Sequence, residues 1–527
     1  MTRRVQSSVE RSAAGHARDR RTLAQGRTVL STRGGPRSAD EVGYALYLGL
    51  LTVLVVAIPL LRAMVLALAD AESIAVLASP GARSTLVAGT VTLAGVALLV
   101  GPVRGPVLPS PFLVDFLVGS ALARRVTLLR PFQVSAAVLA GLAVLTASVV
   151  SVTLLVGGLL PPGADALAAA AVIVLGCVAA AVILCVVWLA GQSLARRVTV
   201  PVGVALLAAA GTVAASGVGA SGGLLGPVPA TVSWVTVALV LAALALTLLC
   251  LPVVPRLLEG LQAVDLMRQA RRWQSIGTLI QTGDVAGAAG ALRTPPARGR
   301  RDRLALSGPL PVAVVQRDLG AARRFPVRTL AGSLAIAGAG WLQGGIWVAS
   351  PGGEWPLAVA VALACYLGAG VWCDGLRAAA ENAGPASIYG RSGLTMIGCH
   401  AIVPALAVLA LGTVGLAVAA ATGAAFSWPA VGWWALTALF ITLLRVFDCL
   451  KGPLPIGLLL PVPTPVGDVS ILNVIAWQAD AVILLLAGAA GLTVLATGSL
   501  WVGVAWLVVA CGAVTVLAVR RLRSLNA

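Results

Sequence analysis

The residues able to carry chemistry are few in this chain, and they stand apart from one another. The most conspicuous carboxylate is Asp480, three residues after Trp477 inside an apolar run, and Arg62 interrupts the first apolar run. Ionisable groups within a membrane segment are costly and are functional candidates by default, so Arg62 and Asp480 are the two candidate intramembrane residues. Each also has a plainer role, Asp480 as a hydrated structural carboxylate and Arg62 as a side chain reaching up to its interface. The eight cysteines lie in or beside apolar stretches with no C-x-x-C pair, which supports neither a disulfide framework nor a zinc site. The two histidines are His16, in a basic tract, and His400, at the start of an apolar run, where a structural partner at a helix end is the expectation rather than a proton relay. A P-loop needs a glycine-rich turn ending in Gly-Lys-Ser/Thr, whereas the single lysine sits in Leu450-Lys451-Gly452-Pro453. No catalytic, metal or cofactor site is expected; if ATP drives this protein, a second polypeptide hydrolyses it.

The elements that position these residues are set by solvent. A chain of 527 residues that is 59% hydrophobic and only 11% charged, with a mean hydropathy of +0.98, carries more apolar surface than a water-soluble fold can hide. Lipid is the solvent it requires. The net charge of +18 would suggest nucleic acid in a soluble protein, but here the arginines fall between apolar runs, where membrane orientation explains them, and no nucleic-acid partner is expected.

Spanning the hydrocarbon takes about 20 mainly apolar residues in a helix, because backbone N–H and C=O groups must pair internally there. Such runs fall near 43–69, 84–103, 132–158, 167–194, 199–220 and 230–255, then 328–349, 356–373, 399–422, 430–447, 475–495 and 500–519. The fold class read from them is an all-α polytopic membrane protein with about 12 transmembrane helices. Loop charge supports that count, since arginine-rich loops alternate with loops in which only Arg83 is basic. The basic loops, and with them both termini, are expected in the cytoplasm. Ala67-Leu68-Ala69 resembles a signal-peptide cleavage site, but the charged region before it and the apolar run itself are both too long for one.

Two six-helix halves result, 43–255 and 328–519, between a basic tail (1–42), a cytoplasmic linker (256–327) and a C-terminal tail (520–527). The order of parts repeats, which suggests duplication. Each half begins with a basic surface segment, residues 15–42 and then Leu310 to Arg328, and has an extended loop after its second span, Arg104 to Pro131 and then Asp374 to about Gly398. In the linker, apolar residues from Leu257 to Leu279 interleave with arginines, predicting an amphipathic helix from about Arg256 to Ile280 that extends span six or lies along the inner leaflet. A mobile loop is expected over Arg293 to Arg303, and an extended or turned connection over the proline-rich run Pro453 to Pro465.

Several short motifs resemble those of integral membrane permeases of ABC exporters of the ABC-2 type, in the form where one chain supplies both halves. They are Gly101-Pro102-Val103-Arg104, Ala121 to Pro131 (ALARRVTLLRP), Gln316-Arg317-Asp318-Leu319 with Arg323-Arg324-Phe325-Pro326, and Thr464 to Asp468 through Trp477 and Asp480. Pro109-Ser110-Pro111 departs from the family's pattern in the first loop. The resemblance implies a permease of the bacterial plasma membrane, driven by a separate ABC ATPase subunit in two copies that grips short cytoplasmic helices. Carried onto this chain, it makes Asp115, Arg124, Arg125, Arg377 and Arg391 the candidate ATPase-coupling positions. Two rivals are a secondary transporter of the major facilitator kind, whose loop after span two is shorter and differently patterned, and a membrane scaffold or lipid-linked enzyme, for which the exported loops are short. Substrate identity is not written in these residues.

Overall fold

Long runs of Ala, Val, Leu and Gly with few charges leave the backbone one way to satisfy itself, and the computed structural model is accordingly built of helices. It describes residues 58–69, 80–118, 122–160, 163–216, 234–281, 285–291, 307–346, 354–383, 390–421, 428–452, 455–459, 463–464, 467–468, 470–496 and 500–526, with a few isolated positions. The basic tail, the tract from Arg293 to Arg303 and most of the loops expected on the exported side lie outside the described residues.

The chain divides into two compact units, Met1–Ser275 and Ile276–Ala527, the break falling inside the linker. The first holds α1 (Ile58–Leu68), α2 (Pro80–Val100), α3 (Pro111–Val118), α4 (Arg124–Thr127), α5 (Leu129–Val156), α6 (Ala164–Ser193), α7 (Arg196–Ser216), α8 (Trp234–Cys250), α9 (Val253–Gly260) and most of α10 (Ala263–Gln281). The second holds α11 (Val285–Ala291), α12 (Leu310–Arg323), α13 (Pro326–Ile346), α14 (Glu354–Ala369), α15 (Asp374–Glu381), α16 (Gly393–Ala421), α17 (Trp428–Cys449), α18 (Ser470–Ala496) and α19 (Leu500–Asn526). Among the described residues, seven helices are long and apolar enough to cross a membrane, or nine if the bent pairs α8–α9 and α14–α15 each count as one. The chain is an all-α polytopic membrane protein by these elements.

The same pairings recur inside each unit. α1 packs on α5 as α13 does on α16, α2 on α6 and α7 as α14 does on α17 and α18, and α6 on α5 and α8 as α17 does on α16 and α19. Repeated order of parts is thus matched by repeated packing. Close approach at these crossings depends on small residues. A Cβ on Gly340 would lie 2.1 Å from the Gly412 carbonyl oxygen, and one on Gly95 3.1 Å from that of Gly203.

The linker departs from the single amphipathic helix read in the sequence. It breaks at Leu261, giving α9 and α10; α9 bends by 45° from α8, and Leu258, Leu261, Leu266 and Ala270 are buried in the first unit's core. The break follows from the second half of the pattern, where Gln262-Ala263 opens a new helix with Asp265 in its first turn. In the proline-rich run, the described residues form a 3₁₀ turn (Ile456–Leu459) and a two-residue antiparallel ladder pairing Pro463 with Asp468 and Thr464 with Gly467. Both are turn structures, as proline's missing N–H requires.

Candidate functional site

Polar side chains gather at the arginine-rich end of each unit, and the first unit's gathering is a clamp on one loop. Pro102, Pro106 and Pro109 keep Gly101–Ser110 out of regular structure, so its carbonyls need donors from elsewhere. Five neighbours supply them. Gln269 Nε2 donates to Pro102 O (3.0 Å), Trp273 Nε1 to Val103 O (3.0 Å), Trp188 Nε1 to Arg104 O (2.7 Å), Ser135 Oγ to Pro106 O (2.6 Å) and Gln192 Nε2 to Val107 O (2.8 Å). Gln192 Oε1 also accepts from Val107 N–H (3.2 Å), its amide reaches Gln269 Oε1 (3.0 Å), and the Arg104 guanidinium lies 4.5 Å over the Trp273 ring. Glycine is required where the loop meets α6, because a Cβ on Gly101 would stand 2.5 Å from Gly191's backbone and one on Gly105 1.9 Å from the Gln192 side chain.

Beyond the clamp, α3 buries Val114 and Val118 and exposes Phe112, Asp115 and Phe116, the two rings stacked with centroids 6.2 Å apart. Asp115 is thus a surface residue beside an exposed aromatic pair. Arg124 and Arg125 are engaged instead in holding the α9–α10 turn, Arg124 Nη1 donating to Leu261 O (2.6 Å) and Arg125 Nε lying 3.1 Å from Glu259 Oε1.

The second unit builds the same end from charges. Arg328, at the start of α13, makes a two-pronged pair with Asp374 (2.6 and 3.0 Å), and Arg377 is 3.7 Å from the same carboxylate. Arg445, buried on α17, donates to the Tyr366 carbonyl (2.9 Å from Nε), lies 3.5 Å over the Tyr366 ring and meets Asp448 at 3.3 Å. Asp480 pairs with Lys451 (2.6 Å) and with Arg521, whose guanidinium also covers the Phe447 ring. Asp480 is therefore a neutralised anchor joining α17, α18 and α19. Arg391 is exposed just before α16, near the Ser392 hydroxyl that accepts from Thr395 N–H, and Arg62 is exposed on α1.

A pair missed in the sequence lies beneath α15. His400 Nδ1 is 2.7 Å from Asp318 Oδ2, with side chains 1% and 3% exposed. The carboxylate presses on Gly375, where a Cβ would be 2.2 Å from Oδ1, and Oδ1 has no hydrogen-bond partner among the described residues. Asp318 thereby ties α12 to α16 and sits against the first turn of α15, where the helix dipole favours negative charge.

Both units thus tie two long helices together at this end, the loop after α2 to α6 through the Gln192 amide and α14 to α17 through the Arg445 guanidinium. Among the described residues no group of three or more His, Cys, Asp or Glu side chains could hold a metal. Compared with known proteins, the chain matches no family model, no curated sequence and no solved structure.

Proposed function

We propose that the chain is the membrane-spanning permease of an ABC exporter of the ABC-2 type, with twelve spans in two halves, both termini cytoplasmic, and a separately encoded ATPase pair as its motor in the bacterial plasma membrane. The observation that supports this reading best is a short helix at the same place in both units, α3 and α15, each following span two and each braced from behind. A two-fold ATPase needs two such handles. Bracing matters because a force applied to a loose loop is lost in the loop; the carbonyl clamp around Gly101–Val107 and the Arg328–Asp374 pair make each handle continuous with the spans. ATP-driven closure of the partner then biases the two halves between inward-facing and outward-facing arrangements.

Within this reading the roles divide. Asp115 and the Phe112–Phe116 pair form the contact surface on α3, and Arg377 and Arg391 flank that on α15, whereas Arg124 and Arg125 brace rather than touch the motor. The test is purification of the tagged chain from its native membrane in mild detergent, with mass spectrometry and an ATPase assay. Recovery of a P-loop ATPase, lost from the Phe112→Ala/Phe116→Ala variant with the chain itself still monodisperse, is the expected result. A chain that purifies without any ATPase under cross-linking conditions overturns the proposal.

A further inference from the structure

Two large side chains of the second unit stand largely outside its packed helices. Trp428 opens α17 and Trp501 lies in the first turn of α19, and each is 77% exposed, more than any other tryptophan among the described residues. An indole suits neither bulk phase. Its ring is apolar and its N–H needs an acceptor, so an exposed tryptophan on a membrane helix is best placed at the boundary between hydrocarbon and headgroups.

The length of helix between these rings and the charged end agrees with that placement. α17 and α19 pack on each other and run the same way, since Arg521 Nη1, near the end of α19, donates to the Phe447 carbonyl, near the end of α17 (2.9 Å). Phe447 is nineteen residues beyond Trp428, and Arg521 is twenty beyond Trp501. At about 1.5 Å per residue those lengths are about 28 and about 30 Å, and the hydrocarbon core of a bilayer is about 30 Å thick. The stretch between is free of charge, because the first charged residue of α17 is Arg445 and that of α19 is Arg520. Its outer surface is apolar, with Leu439, Val508, Val509 and Val516 exposed. At the far end Lys451, Asp480 and Arg521 gather, and Lys451 lies 5.1 Å over the Trp477 ring. Charge marks one boundary of the apolar band and the two indoles mark the other.

We propose that Trp428 and Trp501 form a two-point anchor to the glycerol–carbonyl layer of the leaflet opposite the arginine-rich end. Together with the Lys451–Asp480–Arg521 cluster they fit the second unit to a hydrocarbon core about 30 Å thick. The partner is the lipid boundary, since two rings on separate helices share one height, a bilayer's thickness from the charges, and a protein partner does not require that height. This anchor depends only on the chain being a membrane protein and stands apart from the transport reading above.

The full-length chain is reconstituted into phosphatidylcholine bilayers brominated either near the headgroup or near the end of the acyl chain, and the emission of Trp428→Phe/Trp501→Phe is subtracted from that of the unmodified chain. Both substitutions are at exposed positions and keep an aromatic ring, so the variant is expected to fold, checked by a monodisperse detergent peak and unchanged circular dichroism; the two single variants give the same subtraction if the double one does not pass. The difference emission is expected to be quenched about twofold more strongly by bromine near the headgroup than by bromine near the chain end. Equal or stronger quenching by chain-end bromine places the rings in the hydrocarbon, and no quenching by either shows that water or a protein covers them; each of these results overturns the proposal. The thermal midpoint in bilayers of increasing lipid chain length is the second readout. It is expected to peak near a core of about 30 Å for the unmodified chain and to vary less with thickness in the variant. A peak equally sharp in the variant also overturns the anchor.

Discussion

His400 and Asp318 lie 82 residues apart in the sequence and meet at 2.7 Å in the interior of the second unit, joining the surface helix α12 to the first third of α16. Neither group can be removed alone without cost. A buried ionisable side chain that loses its partner is left unpaired in a poorly polarisable setting, and breaking such pairs costs about 3–5 kcal/mol. Replacing both can be far cheaper.

His400→Ala is expected to lower the thermal unfolding midpoint of the detergent-purified chain markedly, followed by tryptophan fluorescence. Asp318→Asn/His400→Ala should recover part of that loss, giving a coupling energy of about 1–3 kcal/mol in the double-mutant cycle. Purely additive losses would mean that the two side chains do not act as a pair.

Gly375→Ala tests the same junction from the side of α15. Its Cβ would meet the Asp318 carboxylate at 2.2–2.4 Å, closer than any real contact, so either α15 or α12 must shift. Overpacking of this kind costs about 1–3 kcal/mol. The expected result is faster limited proteolysis near α15 in Gly375→Ala and normal proteolysis in Gly398→Ala, where a Cβ meets open space.

Much of this architecture was legible in the sequence, and the limits have a physical cause. Hydropathy reads whether a segment seeks lipid, and loop arginines read which ends lie together; the gathering of Arg328, Arg445, Lys451 and Arg521 at one end of the second unit matches the alternation read from their loops. Partner choice is another matter. Arg124 and Arg125 were legible as candidate coupling positions, but not their partners, a carbonyl at the α9–α10 turn and Glu259, because the Arg124 contact spans 137 residues of sequence and is set by how the chain folds back. Gln192 and Gln269 carried no signal beyond being amides in apolar surroundings, and Asp318 was hidden among the arginines of α12. Arg445 was legible as a basic residue near a span end, but its Tyr366 carbonyl partner was not.

Gln192→Leu should therefore damage the first unit more than its modest polarity suggests. The change strands the Val107 N–H and C=O and the Gln269 carbonyl together. Each buried polar group left without a partner costs about 1–3 kcal/mol. Gln192→Glu, of nearly the same shape, keeps the acceptor for Val107 N–H but loses the donor, and is expected to fall between the two in thermal stability. A leucine variant as stable as the unmodified chain would show that the clamp is not needed to hold the loop.

Asp480 and Arg62 began as equal candidates, and a salt series separates them. Asp480 sits between Lys451 and Arg521, all three mostly buried, so Asp480→Asn leaves two cations facing each other across the space the carboxylate filled. The expected loss is about 1–3 kcal/mol, reduced from the fully buried case because water still reaches part of the group. Added salt screens the residual repulsion, so the gap between the variant and the unmodified chain should narrow from 50 mM to 1 M sodium chloride. Arg62 lies exposed on α1, and Arg62→Gln is expected to stay within about 0.5 kcal/mol of the unmodified chain at every salt concentration. If transport is lost in Arg62→Gln while stability is untouched, Arg62 contacts substrate after all; if Asp480→Asn is as stable as the unmodified chain at low salt, the anchoring role assigned to Asp480 is wrong.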